Sequence, residues 1–395
     1  MFAVSGSSST GGDRSFWRRN VVKISFLLAR LRVSIVRVFE KILLGPIAGN
    51  APYSIIYSLD GSSYDDEVKN HIAEKKQIYS ETFEYYEFPD SYPPQFRRYK
   101  SFERKSVYLL EDVITSPLTG AIWLPEGKIL RESVGSLGRL MGWGNTLRDT
   151  CLPVEATSIE SEIVCCPPTG YYHWLLEVMP NLINAMKVCP DASILLSVES
   201  PGYIKEALAL LFGEEVTSRL ILSDVPVPVT RIAMSQFEEH SGFVRLEDIE
   251  ALRSAFLSAD RTSRNRAGRI YVSRSRTAGR RIGNEKDVER VLIREGVEIV
   301  HLEELAFAQQ IELFNCADEI IAPHGAGLAN LVWAKPLTRV LEIFPYRFFN
   351  DCYARLSLSR SLAYDNVSCI PDPASHGIID EDMILAWLSI PRSET

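Results

Sequence analysis

The stretch "VEIVHLEELAFAQQIELFNCADEIIAPHGAGLANLVWAKPLTRVLEIFP", Val297–Pro345, decides the fold. It holds three short β-branched runs, "VEIVHL", "EIIAP" and "RVLEIFP". Each is too short for a helix and reads as a buried strand. "AFAQQIELFNCA" between the first two has helical spacing. "LANLVWA" predicts a further short helix, stopped by Pro336. Upstream, "RIYVSR" reads as a strand, and "NEKDVERVLIREG" as a helix with Asn284 as its cap and Gly296 at its end. Downstream come a helix, "NDCYARLSLSRSL", and a strand, "NVSCI". From Arg269 onward the order is βαβαβαβαβ, which implies a doubly wound parallel sheet.

In such a sheet ligands sit beyond the carboxyl ends of the strands. Three loops fall there: Ser273–Arg274, His301–Glu303 and His324–Gly327, with Glu342 late in its strand. The "PHGAG" turn is neither GxGxxG nor a P-loop. Gly325 and Gly327 permit positive φ and close backbone approach, and a helix start offers unpaired amides to an anion. The competing reading is a tight turn with a buried histidine. What favours a site is that separate loops converge on it.

Ahead of this region, "YYHWLLEVMPNLINAMKV" reads as a helix after Gly170, followed by "SILLSV" (strand), "IKEALALLFG" (helix ending at Gly213) and "RLILS" (strand). "SVYLLEDVITSP" and "GAIWLPEGKIL" read as strands of a β-rich lead-in, next to the proline-rich loop "YEFPDSYPPQFRRYK". The polar stretch "FEEHSGFVRLED" places a boundary near residue 245. The expected division is a leader with a basic amphipathic helix (1–48), a first domain (49–245) and a second (246–395).

A chain of 395 residues, 46% apolar and 24% charged, suits a soluble protein of two domains. Its net charge of -8 gives no nucleic-acid signal over the whole chain. Residues 1–50 nevertheless carry eight Lys/Arg against Asp13 and Glu40. "VVKISFLLARLRVSIVRVFEKILL", Val21–Leu44, has charges throughout its apolar run, so it reads as neither a membrane span nor a signal peptide. Either it lies peripherally on an anionic membrane surface or it packs on the protein's own core. The seven cysteines are odd in number, irregularly spaced and without CxxC. Reduced thiols in a cytoplasm are expected.

Three segments, "YYHWLLEVMPNL", "IYVSRSRTAGRRIGNEKDV" and "IIAPHGAGLANLVWAKPLTRVLEIF", together resemble glycosyltransferase family 61, whose bacterial members are often described as capsular polysaccharide biosynthesis proteins. The resemblance runs from about Gly170 to about Phe344, with a continuation to Ile370, and leaves the first 150 residues uncovered. It implies a GT-B-like α/β fold, with two Rossmann-like domains facing across a cleft. It also implies inverting transfer from a nucleotide-sugar donor, generally without metal. No cofactor is expected. The partners expected are a UDP- or GDP-linked donor and a glycan or lipid-linked glycan acceptor.

Sugar transfer needs a stabilised diphosphate leaving group and a base on the acceptor hydroxyl. Arg274, at a strand end, is the first choice for a bidentate phosphate contact and Arg281 the second. The other arginines of that run read as a solvated face. Ser273 shares the loop. His324 and the Gly325–Ala326–Gly327 backbone are assigned to the same diphosphate. Glu303 and Glu342 are candidates for ribose or base hydroxyls, unless they merely cap a neighbouring helix. On the acceptor side His173 and Glu177 are four apart on one helix face, a pairing that can make a general base, with either member taking the proton. The acidic "DED", Asp380–Asp382, opens a helix and is rejected as a metal site. A non-catalytic glycan- or nucleotide-binding subunit is the alternative. A nicotinamide-dependent oxidoreductase is disfavoured, because no strand is followed by GxGxxG.

Overall fold

The structure, a computed structural model, describes residues 56–57, 70–86, 88, 92, 96, 99–125, 129–134, 154–238, 241–257, 268–277 and 279–391. The expected leader and basic helix of residues 1–48 lie outside the described residues.

The first half contains strands β1 (Ile56–Tyr57), β2 (Ile72–Tyr79), β3 (Thr82–Tyr85), β4 (Tyr99–Phe102), β5 (Lys105–Thr115), β6 (Ile122–Trp123), β7 (Ile129–Leu130), β8 (Ile163–Cys165), β9 (Ser193–Ser197), β10 (Leu220–Ser223) and β11 (Val227–Ser235). β3 and β4 pair with each other; the rest form one sheet of order β1-β7-β6-β5-β11-β8-β9-β10, with β2 on β5. This sheet is mixed. β8, β9 and β10 run parallel, while β11 is parallel to β8 and antiparallel to β5. The parallel part of this sheet is β11-β8-β9-β10, and the connections from β8 to β9 and from β9 to β10 carry the helices α1 (171–188) and α2 (Gly202–Phe212). "GAIWLPEGKIL", read as one strand, is split into β6 and β7.

α1 is not a uniform helix. Tyr171–His173 is α, Trp174–Val178 is a π turn, and Met179–Val188 is α again. The wide turn ends just before Pro180, which has no N–H to give and would crowd the carbonyl of Leu176 in a regular α-helix.

The second half matches its predicted strand order. It comprises α3 (Leu246–Phe256), β12 (Gly268–Val272), α4 (Glu285–Arg294), β13 (Glu298–Val300), α5 (Phe307–Cys316), β14 (Ala317–Pro323), β15 (Arg339–Phe344), α6 (Cys352–Ser359), β16 (Ala363–Ser368) and α7 (Glu381–Ser389). The sheet order is β13-β12-β14-β15-β16, and every pairing is parallel. Successive connections leave in opposite directions at the β12–β14 boundary, the position at which open sheets of this kind form a ligand crevice at the carboxyl ends of the strands.

Alternation along the strands divides the side chains between two faces. Tyr271, Ile321, Leu341 and Ile343 pack with Val288 and Leu292 of α4 and Trp387 of α7. Ile270, Val272, Ile320, Ala322 and Val340 face the other way, into one core shared with the first half. In that core Trp174 of α1 meets Phe307 of α5 edge-on at 5.5 Å, Phe307 meets Phe256 of α3 at 5.4 Å, and Phe256 meets Trp333 at 5.5 Å. α3 joins the two halves. Its Asp248 accepts from Lys105 (2.5 Å) and Asn184 (3.1 Å) of the first half. Its Arg253 donates to the Val332 carbonyl of the second (2.6 Å).

"LANLVWA" departs from its prediction: Ala326–Trp333 is a 3-10 helix. Asn330 accounts for this. It is wholly buried, and its side-chain amide donates to the Gly327 carbonyl at 3.1 Å, a local bond that competes with the α pattern. Leu328 N donates to Gly325 O, the tighter spacing.

Candidate active site

Three loops meet at the β12–β14 crevice. After β12, the Arg274 amide donates to Glu285 Oε1 of α4 at 2.6 Å, and Tyr271 OH donates to the same oxygen at 3.1 Å. Burial holds the Glu285 carboxyl above its usual range. Glu285 thereby fixes the turn that aims Arg274. The Arg274 guanidinium donates to Gly279 O (2.9 Å), and its Nε is buried with no hydrogen-bond partner among the described residues. Burial lowers the Arg274 pKa, and repulsion from Arg280 adds to that, while Glu285, Tyr353 and Glu303 oppose it. Two cations crowded at a crevice mouth suit an anion, which relieves their repulsion.

Arg281 is exposed, whereas Arg280 faces Arg274 and lies over the Phe348 ring at 5.4 Å. Arg280 adopts a φ of 55°, in the left-handed region. Ser273 belongs to the same loop. It is buried, and its hydroxyl donates to Glu289 at 2.6 Å, so it supports the loop from behind. Glu303 is exposed near Arg274, with the His301 ring 4.0 Å away.

After β14, His324 is buried, and its Nδ1 is paired with Glu342 of β15. Glu342 is wholly buried, and its second oxygen accepts from Tyr364 OH at 2.5 Å. A carboxylate tied up on both oxygens has no reach toward a ribose, so the ribose assignment of Glu342 gives way to one of orienting His324. Phe344, Phe348 and Tyr353 hold the ring from the sides, with centroids at 5.7, 4.8 and 5.1 Å.

Gly325 leaves room for the Arg274 side chain where it lies, and positive φ has no part in it. Its φ is -178°, an extended value open to any residue. A Cβ there would run into the Arg274 guanidinium, and one on Gly327 would come within 2.8 Å of Leu302 Cδ1. The glycines let the β12 loop lie directly on the β14 loop, and the 3-10 turn from Ala326 starts against the arginine.

The second constellation is on α1. His173 Nδ1 lies 3.0 Å from Glu177 Oε2. Glu177 Oε1 accepts from Ser241 Oγ and from the Gly242 amide, both at 2.9 Å, and Ser241 Oγ also lies 3.1 Å from His173 Nδ1. The His173 side chain is 31% exposed and that of Glu177 6%, so the imidazole is the member that reaches solvent. A buried carboxylate holding Nδ1 and an accessible ring is an arrangement able to take up a proton.

Tyr353 of α6 ties the two constellations together. Its hydroxyl donates to Gly325 O at 2.7 Å, and its ring meets Tyr172, the neighbour of His173, at 5.5 Å. Burial pushes both phenols well above their ordinary pKa, so both stay protonated, and Tyr353 uses its proton on the Gly325 carbonyl.

Arg280, Tyr353, Glu285, Ser241 and Gly242 escape the sequence reading. Arg280 adjoins the residue chosen, and Ser241–Gly242 falls in the stretch read as a boundary. Among the described residues no group of three His, Cys, Asp or Glu is placed to hold a metal ion. Asp380 caps α7 by accepting from the Asp382 amide at 3.0 Å. Also among the described residues, no helix is long and apolar enough to cross a membrane.

Comparison with known proteins bears on what this site does. Residues 171–341 match the profile of the family described as Glycosyltransferase 61, a segment that contains His173, Glu177, Arg274 and His324. No curated protein matches the chain.

Proposed function

We propose that this glycosyltransferase moves a sugar, with inversion, from a UDP- or GDP-linked donor to a hydroxyl of a glycan or lipid-linked glycan. The observation that carries this reading is the pairing of a cationic crevice, Arg274 and Arg280 against the Gly325 backbone, with a His–Glu pair one tyrosine away. The crevice takes the donor diphosphate. His173 takes the proton of the acceptor hydroxyl while Glu177 stabilises the imidazolium. The acceptor oxygen bonds to the anomeric carbon from the face opposite the departing diphosphate. The bond to the diphosphate oxygen breaks, and its charge falls on Arg274, Arg280 and the amides at the start of the 3-10 turn. Transfer in capsular or other cell-surface glycan synthesis, from a GT-B-like scaffold at the cytoplasmic face of a membrane, is the setting that best suits the resemblance and the basic N-terminal segment.

Thermal-shift profiling against UDP- and GDP-sugars is expected to single out one donor; binding of none sinks the proposal. Arg274→Ala is expected to weaken nucleotide binding about 10- to 100-fold, from roughly 1.5–3 kcal/mol for a hydrogen bond to a charged group. Calorimetry measures this directly, and an unchanged Kd moves the diphosphate elsewhere.

A further inference from the structure

We infer that Arg355 of α6 is a positioning residue for the His173–Glu177 pair, acting through the backbone of Gly242; the inference rests on the proposed role of that pair. The Arg355 side chain is 3% exposed. Its Nη2 donates to the Gly242 carbonyl at 2.5 Å, its Nη1 pairs with Asp351, and its guanidinium lies 3.9 Å over the Phe243 ring. Gly242 has a φ of 89°, in the region that favours glycine. The residue is gripped at both ends: its carbonyl by the second half, while its amide donates to Glu177 of the first. Ser241, beside it, gives Glu177 a second donor. Two residues before Arg355, Tyr353 holds the Gly325 carbonyl of the donor loop. One helix thus sets both the proposed diphosphate loop and the proposed base, and Arg355 does so without touching the pair.

His173 contacts Glu177 directly, and Glu177, Arg355 and Cys352 all act on the Tyr172 phenol beside them, with Asp351 paired to Arg355. The Gly242 amide spreads the charge of Glu177. With that amide released, more charge faces His173, which alters the pH dependence of turnover. Arg355→Met is therefore expected to lower kcat about tenfold or more, to leave nucleotide Kd unchanged and to move the acid limb of the kcat profile. Arg355→Lys keeps one donor and the charge opposite Asp351, and is expected to fall between. The measurement is initial rate per folded molecule, at saturating donor, across pH. If Arg355→Met does not fold, Arg355→Lys decides: a reduced kcat with a shifted limb upholds the inference. Wild-type kcat and an unmoved limb in the folded variants overturn it and leave Arg355 merely structural. Should His173→Ala and Glu177→Gln themselves keep wild-type turnover, it is the proposed base that fails.

Discussion

Glu177→Gln is expected to reduce kcat by about 10²–10⁴-fold, the usual contribution of a positioned acid–base group, while nucleotide affinity stays unchanged. The substitution preserves shape. A glutamine carbonyl can still accept from Ser241 and the Gly242 amide, the two 2.9 Å contacts that hold Oε1. What changes is the side facing His173. There an amide NH₂ replaces the carboxylate oxygen 3.0 Å from Nδ1, so it donates to that nitrogen. The ring proton then moves to the other nitrogen, and the atom meant to receive the acceptor's proton is already occupied. Initial rates at saturating donor, with calorimetric binding of the free nucleotide, check both halves of the expectation. Turnover within tenfold of wild type would falsify the assignment of the base.

Glu342→Ala is expected to cost roughly 2–6 kcal/mol of stability, at about 1–3 kcal/mol for each buried polar group left without its partner. Two groups are stranded together, His324 Nδ1 and Tyr364 OH, and both residues are buried. Glu342→Gln keeps an atom near each and is expected to lose less. Urea denaturation of the two variants measures the difference. If Glu342→Ala is as stable as wild type, the His324–Glu342–Tyr364 chain is not holding the loop.

The second sheet was legible because β14 and β15 are covered on both faces, and such strands are written as short, mostly apolar runs. The convergence of Arg274 with His324 followed from strand order alone. The details that govern side-chain direction were less visible. Arg280 is part-buried at a φ of 55° and Arg281 is exposed, and nothing in "GRR" announces which is which. Asn330 converts an expected α-helix to 3-10 through a bond to its own backbone, whose alternative, pointing to solvent, has the same sequence pattern. Glu342 was seen as a strand-end carboxylate, but its partner Tyr364 comes from a strand 22 residues on. Ser241 and Gly242 lie in a polar stretch, and polarity there marked a contact with Glu177, not only a connection between halves.

The aromatic core that runs from Trp174 through Phe307 and Phe256 to Trp333 bears on how such a protein can be re-engineered. Transferases built from separable lobes invite chimeras, in which one lobe is exchanged to alter the acceptor while the other retains the donor. Here a junction at residue 245 would split α3 from the Lys105 and Asn184 side chains that hold Asp248, and would set a foreign surface against four interlocked rings. A workable graft has to carry α1, α3 and the facing rings of α5 and Trp333 together, so the exchangeable module is a layer through the molecule and not one of its ends.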